Sequence, residues 1–248
     1  MLLEAAEIPV PRGTVIRTEE GMDAAIAKYG YPLVIKPIDG NHGKGNTTNI
    51  TNRQQAIKAF EAAKAYSRSV IIERFLTGYD FRCLVINNKF ICAALRTPAS
   101  VVGDGIHNIQ WLIDKTNRDP RRGFGHEKVL TQITIDQFTQ KMMDDAEITL
   151  DHIPSNGERV LLKPTANLST GGTSTDVTDE VHPANIFMFE RIARIIGLDI
   201  CGIDVMATDL RTPVAENGGA ILEVNAAPGF RMHIDPSEGL PRNVAEPV

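Results

Sequence analysis

A short apolar run, Tyr31–Lys36, is cut off by Pro37 and followed by the loop Asp39–Gly45, where Gly40, Gly43 and Gly45 leave little side-chain surface to bury. Proline cannot donate to a central ladder, and glycine opens backbone conformations closed to other residues, so the run reads as a strand ending in a backbone-rich turn. Beyond the loop, Asn52 offers an N-cap oxygen, and Ala56, Ile57, Phe60 and Ala63 recur at helical spacing. Ser69–Arg74 is strand-like again. Upstream, Thr18 is placed to cap a helix over Glu19–Tyr29 that Gly30 stops. Strand, glycine loop, capped helix and strand together restrict this part of the chain to a small α/β unit closing near Phe75.

The remainder continues as mixed α/β (α+β). Phe81–Ile86 and Phe90–Arg96 form a hairpin about Asn87-Asn88, since asparagine tolerates positive φ. From Pro98 to about Asn156 the chain is polar and helix-prone, and is expected to be a mainly helical insertion. Glu158–Lys163 resumes strand character. His182-Pro183 opens a helix through Ile196, with Gly197 just past its end. Cys201–Ala207 and Ala220–Asn225 supply a final strand pair. The expected organisation is a leading segment 1–11, ending in the extended Pro9-Val10-Pro11; a small subdomain 12–75; and a large subdomain 76–248 with its insertion at about 98–156.

Composition excludes several classes. The 248 residues carry a formal net charge of -5 and no long basic run, which argues against nucleic acid as a partner. Apolar runs such as Ile91–Leu95 are too short to span a bilayer. Glu4 and Glu7 break any basic-then-apolar leader pattern, so a cytoplasmic location is expected. Cys83, Cys92 and Cys201 lie singly in apolar runs and read as buried thiols rather than disulfides or a zinc site; a catalytic Cys–His pair is the alternative.

Alternation places the candidate site residues. Glu223 and Asn225 share one strand face, with Leu222 and Val224 directed into a core, and Asp204 sits between Ile203 and Val205. If these strands pair, two carboxylates and an amide oxygen converge, a hard oxygen set suited to Mg²⁺; the alternative is a solvated polar face. Lys36 precedes the glycine loop, whose N–H groups can make an anion nest without the Lys-Ser/Thr ending of a Walker loop; a surface turn and a surface lysine are the alternatives. Val70–Leu76, carrying Glu73, could line an adenine slot. Backbone groups of Arg74 and Leu76 would then face the base edge and Asp80 the ribose hydroxyls.

Taken in order, Lys36, the glycine loop, the Glu73–Asp80 stretch, Asp204 and the Glu223–Asn225 pair resemble the ATP-grasp superfamily. The segments KPIDGNHGKG at Lys36–Gly45, DPRRGFGHEKVLT at Asp119–Thr131, ANLSTGGTSTDVTD at Ala166–Asp179 and GFRMH at Gly229–His233 resemble, more narrowly, the ATP-grasp module of the cyanophycin synthetase family. The resemblance covers essentially the whole chain; bifunctional glutathione synthetases carry a related module.

That resemblance implies two α/β subdomains clamping ATP. It also implies a carboxylate–amine ligase that activates the C-terminal carboxylate of a poly-aspartate backbone as an acyl phosphate and joins it to aspartate. The implied cofactors are ATP and Mg²⁺, with Asp204, Glu223 and Asn225 on the metal and Lys36, Gly40, Gly43, Gly45, Glu73, Arg74, Leu76 and Asp80 on the nucleotide. The implied partners are a cyanophycin primer and aspartate, in a homo-oligomer of the full-length protein. Arg82, alternating with Phe81 and Cys83, is a candidate clamp for the acyl phosphate or substrate carboxylate, or else a surface strand arginine. His42 could take a proton from the attacking ammonium, or be an ordinary loop histidine. Ser169, Thr170, Gly171 and Gly172 offer hydroxyls and N–H groups for the polymer's terminal carboxylate or backbone, with Asp179 and Arg82 framing the groove; a structural turn is the alternative.

The chain departs from the family pattern at its ends. It begins after the point where a further nucleotide-binding lysine is usual, and it lacks the family's preceding domain and following Mur-ligase-like module. It therefore reads as a fragment, with a glutathione-synthetase-like ligase or a nucleotide-binding remnant as alternatives to a cyanophycin-type ligase.

Overall fold

A computed structural model describes residues 2–39, 45–125 and 127–246. The chain divides into two compact units, residues 1–77 with 219–222, and residues 78–218 with 223–248.

The first unit contains α1 (Leu2–Ala5), β1 (Gly13–Ile16), α2 (Glu19–Tyr29), β2 (Leu33–Pro37), β3 (Thr47–Ile50), α3 (Arg53–Lys64) and β4 (Val70–Arg74). Its strands form one antiparallel sheet in the order β1-β4-β2-β3. Local chemistry sets the helix starts: the Thr18 hydroxyl accepts from the Gly21 N–H at 3.2 Å, and the Asn52 side chain accepts from the Gln55 N–H at 2.9 Å. Gly30, at φ 68°, takes the chain out of α2 in a conformation that favours glycine. Met22 and Ala25 of α2, and Ala56, Ala59, Phe60 and Ala63 of α3, close over Leu33, Ile35, Val70 and Ile72 of the sheet.

The second unit is built on a five-stranded sheet, ordered β11-β6-β5-β12-β13. β5 (Tyr79–Ile86) and β6 (Lys89–Thr97) form the hairpin, with Asn87 and Asn88 at φ 49° and 60°. Then come β7 (Ser100–Val102), α4 (Ile109–Asn117), β8 (Arg122–Gly123), β9 (Leu130–Thr131), α5 (Gln137–Asp145), β10 (Arg159–Leu161), β11 (Thr173–Asp176), α6 (Pro183–Ile196), β12 (Ile200–Ala207), β13 (Ala220–Asn225) and α7 (Arg231–Ile234). α6 has Pro183 in its first turn, a His182 ring nitrogen accepting from the Ala184 N–H at 3.1 Å, and Gly197 at φ 76° past its end.

Residues 98–156 hold two nine-residue helices, α4 and α5, and otherwise short strands and irregular chain, so helix accounts for less of this insertion than its composition suggests. The reason lies in competing backbone partners. Asp104 accepts from the N–H groups of Ile106 and His107, and β8, in the glycine-containing segment Arg121–Gly125, pairs in parallel with β9. Ala99, Val101, Ile109, Leu112, Ile133, Met143, Val160 and Leu162 give this part its own core.

Two further outcomes concern the sheet. Leu222, expected in a core, is 38% exposed and Val224 is half-buried, because β13 is the edge strand. The three cysteines are buried and free; burial pushes the Cys92 thiol up to about 12 and Cys201 to about 11.

Candidate active site

Cross-strand register assembles an ionic cluster on one face of the second unit's sheet. Asp80 and Arg82 lie two apart on β5; Arg96 of β6 stands opposite Asp80, and Asp204 of β12 stands opposite Arg82. The Arg82 guanidinium makes two bonds to the Asp204 carboxylate. Arg96 donates to Asp80 at 2.5 and 2.8 Å and lies 3.1 Å from Asp204. Two carboxylates thus face two guanidiniums, each carboxylate held by a planar fork. Burial moves the Asp80 carboxyl above its ordinary value despite the opposing pull of Arg96. Gly202 makes room for the cluster: a methyl there would lie 2.6 Å from the Pro228 Cβ and 3.0 Å from the Arg82 Cδ.

Arg82 and Arg96 also line a cleft of about 350 Å³, walled by Ala166–Ser169 on one side and Gly229–Met232 on the other. The first wall is a 3₁₀ turn, Leu168–Thr170. Its groups are less available than the sequence suggested. The Thr170 hydroxyl and the Gly172 N–H both donate to Asn167 O, at 3.0 and 3.1 Å, and the Gly171 N–H donates to Leu168 O at 3.2 Å. Ser169 is exposed, and among the described residues its hydroxyl makes no hydrogen bond, so it is the group of this loop left for a ligand. Gly171, at φ 93°, packs where a methyl would lie 2.8 Å from an Ile133 side-chain carbon, and one on Gly172 would lie 2.7 Å from Thr97 O. Asp179, expected beside this groove, is instead gripped by Arg242, which also binds Asp176. The segment after α7 is fastened to β11 by those bonds and by Asp176 N–H to Glu238 O at 2.9 Å.

Behind the second wall, His233 is buried, and its Nε2 has no hydrogen-bond partner. Burial, with the nearby Arg82 and Arg96 charges, lowers its pKa to about 4, so the ring is neutral at pH 7.

In the first unit, Lys36 and Glu73 meet across β2 and β4 as a 2.6 Å ion pair, Glu73 being buried. Gly13 stands opposite Glu73 in the register, and a methyl there would fall 2.6 Å from the Glu73 Cβ, so only glycine lets β1 lie against this carboxylate. The Arg74 N–H is not free for a base edge, as the sequence suggested: it donates to Arg12 O at 2.9 Å, extending the β1–β4 pairing by one residue. Leu76 follows β4 in irregular chain. Gly45, at φ 73°, packs against the Tyr66 ring. Gly40, His42 and Gly43, and with them the phosphate-nest and proton-acceptor expectations, lie outside the described residues.

The expected metal residues share a neighbourhood unevenly. Asp204 on β12 and Glu223 and Asn225 on β13 stand on adjacent strands. Asp204 is buried and already engaged by two guanidiniums, Glu223 is exposed, and the Asn225 amide nitrogen is buried without a partner. The orphaned atom is an N–H donor, which no cation satisfies; the Asp204 and Glu223 carboxylates and the Asn225 amide oxygen are the hard oxygen donors a Mg²⁺ ion would need. Among the described residues, no cluster of three or more His, Cys, Asp or Glu converges.

Arg96, Gly202 and Arg231 were missed by sequence reasoning. Arg96 ends an apolar strand, and only its register against Asp80 reveals it. Arg231 was legible only as part of GFRMH.

The class is now defined at the level of fold: the chain has the ATP-grasp fold. The ATP-grasp domain model matches residues 1–89. The D-alanine–D-alanine ligase of Bacillus anthracis shares the fold, at a TM-score of 0.55 and 15% identity over 93% of this chain and 55% of that one. Within the class, the chain is similar along its whole length to the cyanophycin synthetase of Crocosphaera subtropica, 53% identical over 250 residues, which are 29% of that protein. A bifunctional glutathione synthetase from Pasteurella multocida, known by crystal structure, is 32% identical with a TM-score of 0.71 over 99% of this chain and 34% of that one. The chain therefore spans about a third or less of the cyanophycin and glutathione synthetases it matches. ATP-grasp ligases in general use ATP and Mg²⁺. No described helix is long and apolar enough to cross a membrane.

Proposed function

We propose that this chain is the ATP-grasp module of an ATP-dependent ligase that activates the terminal carboxylate of an aspartate-rich peptide polymer and joins it to the amine of aspartate. The observation that carries this reading is the cleft lined by Arg82, Arg96 and Arg231 together with Ser169, whose hydroxyl makes no hydrogen bond among the described residues. Similarity to cyanophycin synthetases supplies the identity of the polymer.

Each side chain then has a task. Ser169 and Arg231 orient the carboxylate end. Arg82, fixed by Asp204, presents its guanidinium where charge builds on the transferring phosphoryl group. Asp80 and Arg96 hold that arrangement rigid. Lys36, ion-paired with Glu73, is assigned to phosphate oxygens, and Leu76 and Asp80 to the nucleoside. Asp204, Glu223 and Asn225 would hold Mg²⁺, which neutralises phosphate charge when bound. His42 is the candidate acceptor of the ammonium proton. The carboxylate oxygen attacks the γ-phosphorus and ADP leaves; the amine then attacks the acyl carbon, loses a proton, and phosphate leaves. We further propose residues 12–75 as the lid, and a cytoplasmic homo-oligomer as the assembled form.

The test is ADP release by the natural protein in the presence of a short aspartate polymer, aspartate or both. The reading expects release that requires polymer and aspartate together. Tripeptide formation from γ-glutamylcysteine and glycine, without response to the polymer, would transfer the chain to the glutathione reading that the Pasteurella structure suggests. Nucleotide binding without turnover on either set would leave a binding remnant.

A further inference from the structure

Arg96, Arg122 and Lys163 are the buried cations among the described residues. Two are matched by carboxylates: Arg96 by Asp80 and Asp204, and Lys163 by Asp136 at 2.6 Å. Arg122 is not. At 6% exposure, its Nη1 donates to two backbone oxygens, Thr131 O at 2.6 Å and Gly171 O at 3.1 Å. Among the described residues it forms no ion pair. The nearest acidic residue in sequence, Asp119, spends its carboxylate on Arg121 at 2.9 Å. Burial lowers the Arg122 pKa, the attraction of the Asp119 carboxylate opposing it and the Arg121 charge adding to it.

A buried charge left unpaired is costly, and folds retain one where something else answers it. The place of Arg122 says what that is. Gly171 closes the Leu168–Thr170 turn and lies two residues from Ser169, within about 7 Å along the chain. The guanidinium thus holds the end of the turn that carries the free Ser169 hydroxyl. β8 and β9 carry the grip: Arg122 pairs with Leu130, and Thr131, which accepts from Arg122, pairs with Gly123.

We infer that Arg122 is a positioning residue for the carboxylate end of the substrate: it fixes the turn that presents Ser169, and its charge is answered by the anion that docks there. The inference rests on the cleft being the carboxylate site. It adds that the 119–131 segment sets the preference for a free acid over an uncharged chain end, although no atom of Arg122 lines the cleft. Both carbonyls are held by the one nitrogen Nη1, so a lysine ammonium, with the charge and three donors but a flexible stem, should replace it in part.

The experiment compares binding of an aspartate tetrapeptide with that of the same peptide amidated at its C-terminus, by calorimetry on the natural protein. Wild type, Arg122→Gln and Arg122→Lys are measured, each checked by thermal melting and for Mg-ATP binding. The wild type should prefer the acid by about tenfold or more, the scale of one charged hydrogen bond. Arg122→Gln should lose that preference with little change for the amide and none for Mg-ATP. Arg122→Lys should keep part of it, and carries the test if Arg122→Gln does not fold. An undiminished preference in both variants, or an equal loss of acid and amide affinity, would overturn the inference and leave the function intact. A wild type indifferent to acid and amide would overturn the reading of the cleft itself, and this inference with it.

Discussion

His233→Leu should make the protein less sensitive to mild acid. The imidazole is buried with Nε2 unpartnered, and its pKa falls from the ordinary 6.5 to about 4, through burial first and then the Arg82 and Arg96 charges, partly offset by Asp176. A histidine depressed in the folded state favours folding while it is neutral in both states. As pH drops below 6.5 the unfolded chain takes up a proton that the folded chain refuses until about pH 4. Stability from this residue is therefore complete above pH 6.5 and lost as pH falls through that window, by about 3 kcal/mol in all. Leucine has similar bulk, carries no proton, and removes the unsatisfied nitrogen. Urea unfolding of wild type and variant at about pH 7.5 and about pH 4.5 measures the difference; the wild type should lose roughly 2–3 kcal/mol more than the variant. Asp176 does not confuse the comparison. Although burial opposes it, Arg242 holds that carboxyl below its ordinary 3.8, so its loss falls at lower pH and is common to both proteins. Equal acid slopes in the two proteins would refute the reasoning and mean that His233 is protonated or hydrated in the folded state.

Arg96→Met should cost about 3 kcal/mol in urea unfolding, since it strands Asp80 and half-frees buried Asp204; a change under about 1 kcal/mol would mean water already satisfies the cluster. Ser169→Ala should weaken polymer use about tenfold without weakening ATP binding, because the hydroxyl's expected partner is charged, and separate concentration dependences for polymer and ATP check it. Glu223→Gln should leave the melting temperature nearly unchanged, as expected for an exposed side chain, while Mg²⁺-dependent nucleotide binding is lost. Nucleotide binding with unchanged Mg²⁺ dependence would remove Glu223 from the metal set.

What the sequence disclosed follows from how local each interaction is. The starts of α2, α3 and α6 and the turn at Asn87-Asn88 are decided within a few residues, and Thr18, Asn52, Pro183 and the two asparagines announce them. Alternation along single strands likewise put Asp204 and Arg82 on a polar face. Pairing between strands is another matter. That Arg82 faces Asp204, that Arg96 bridges Asp80 and Asp204, and that Arg122 reaches Gly171 depend on register and on contacts 16 to 122 residues apart, which no short pattern encodes. The Ser169–Gly172 loop shows the same limit: its composition promised many free donors, and the folded turn itself uses the Thr170 hydroxyl and the N–H groups of Thr170, Gly171 and Gly172.

The central claim is that ATP activates a carboxylate held in the arginine-lined cleft. The most direct measurement supplies the natural protein with an aspartate polymer whose terminal carboxylate is labelled with ¹⁸O, together with Mg-ATP and aspartate, and follows the label by mass spectrometry of the released phosphate. If the carboxylate oxygen attacks the γ-phosphorus and leaves with phosphate when the amide forms, one ¹⁸O appears in inorganic phosphate for the first bond made on each chain, both carboxylate oxygens being labelled. Amide formation with unlabelled phosphate would contradict the acyl-phosphate route and the role assigned to the cleft.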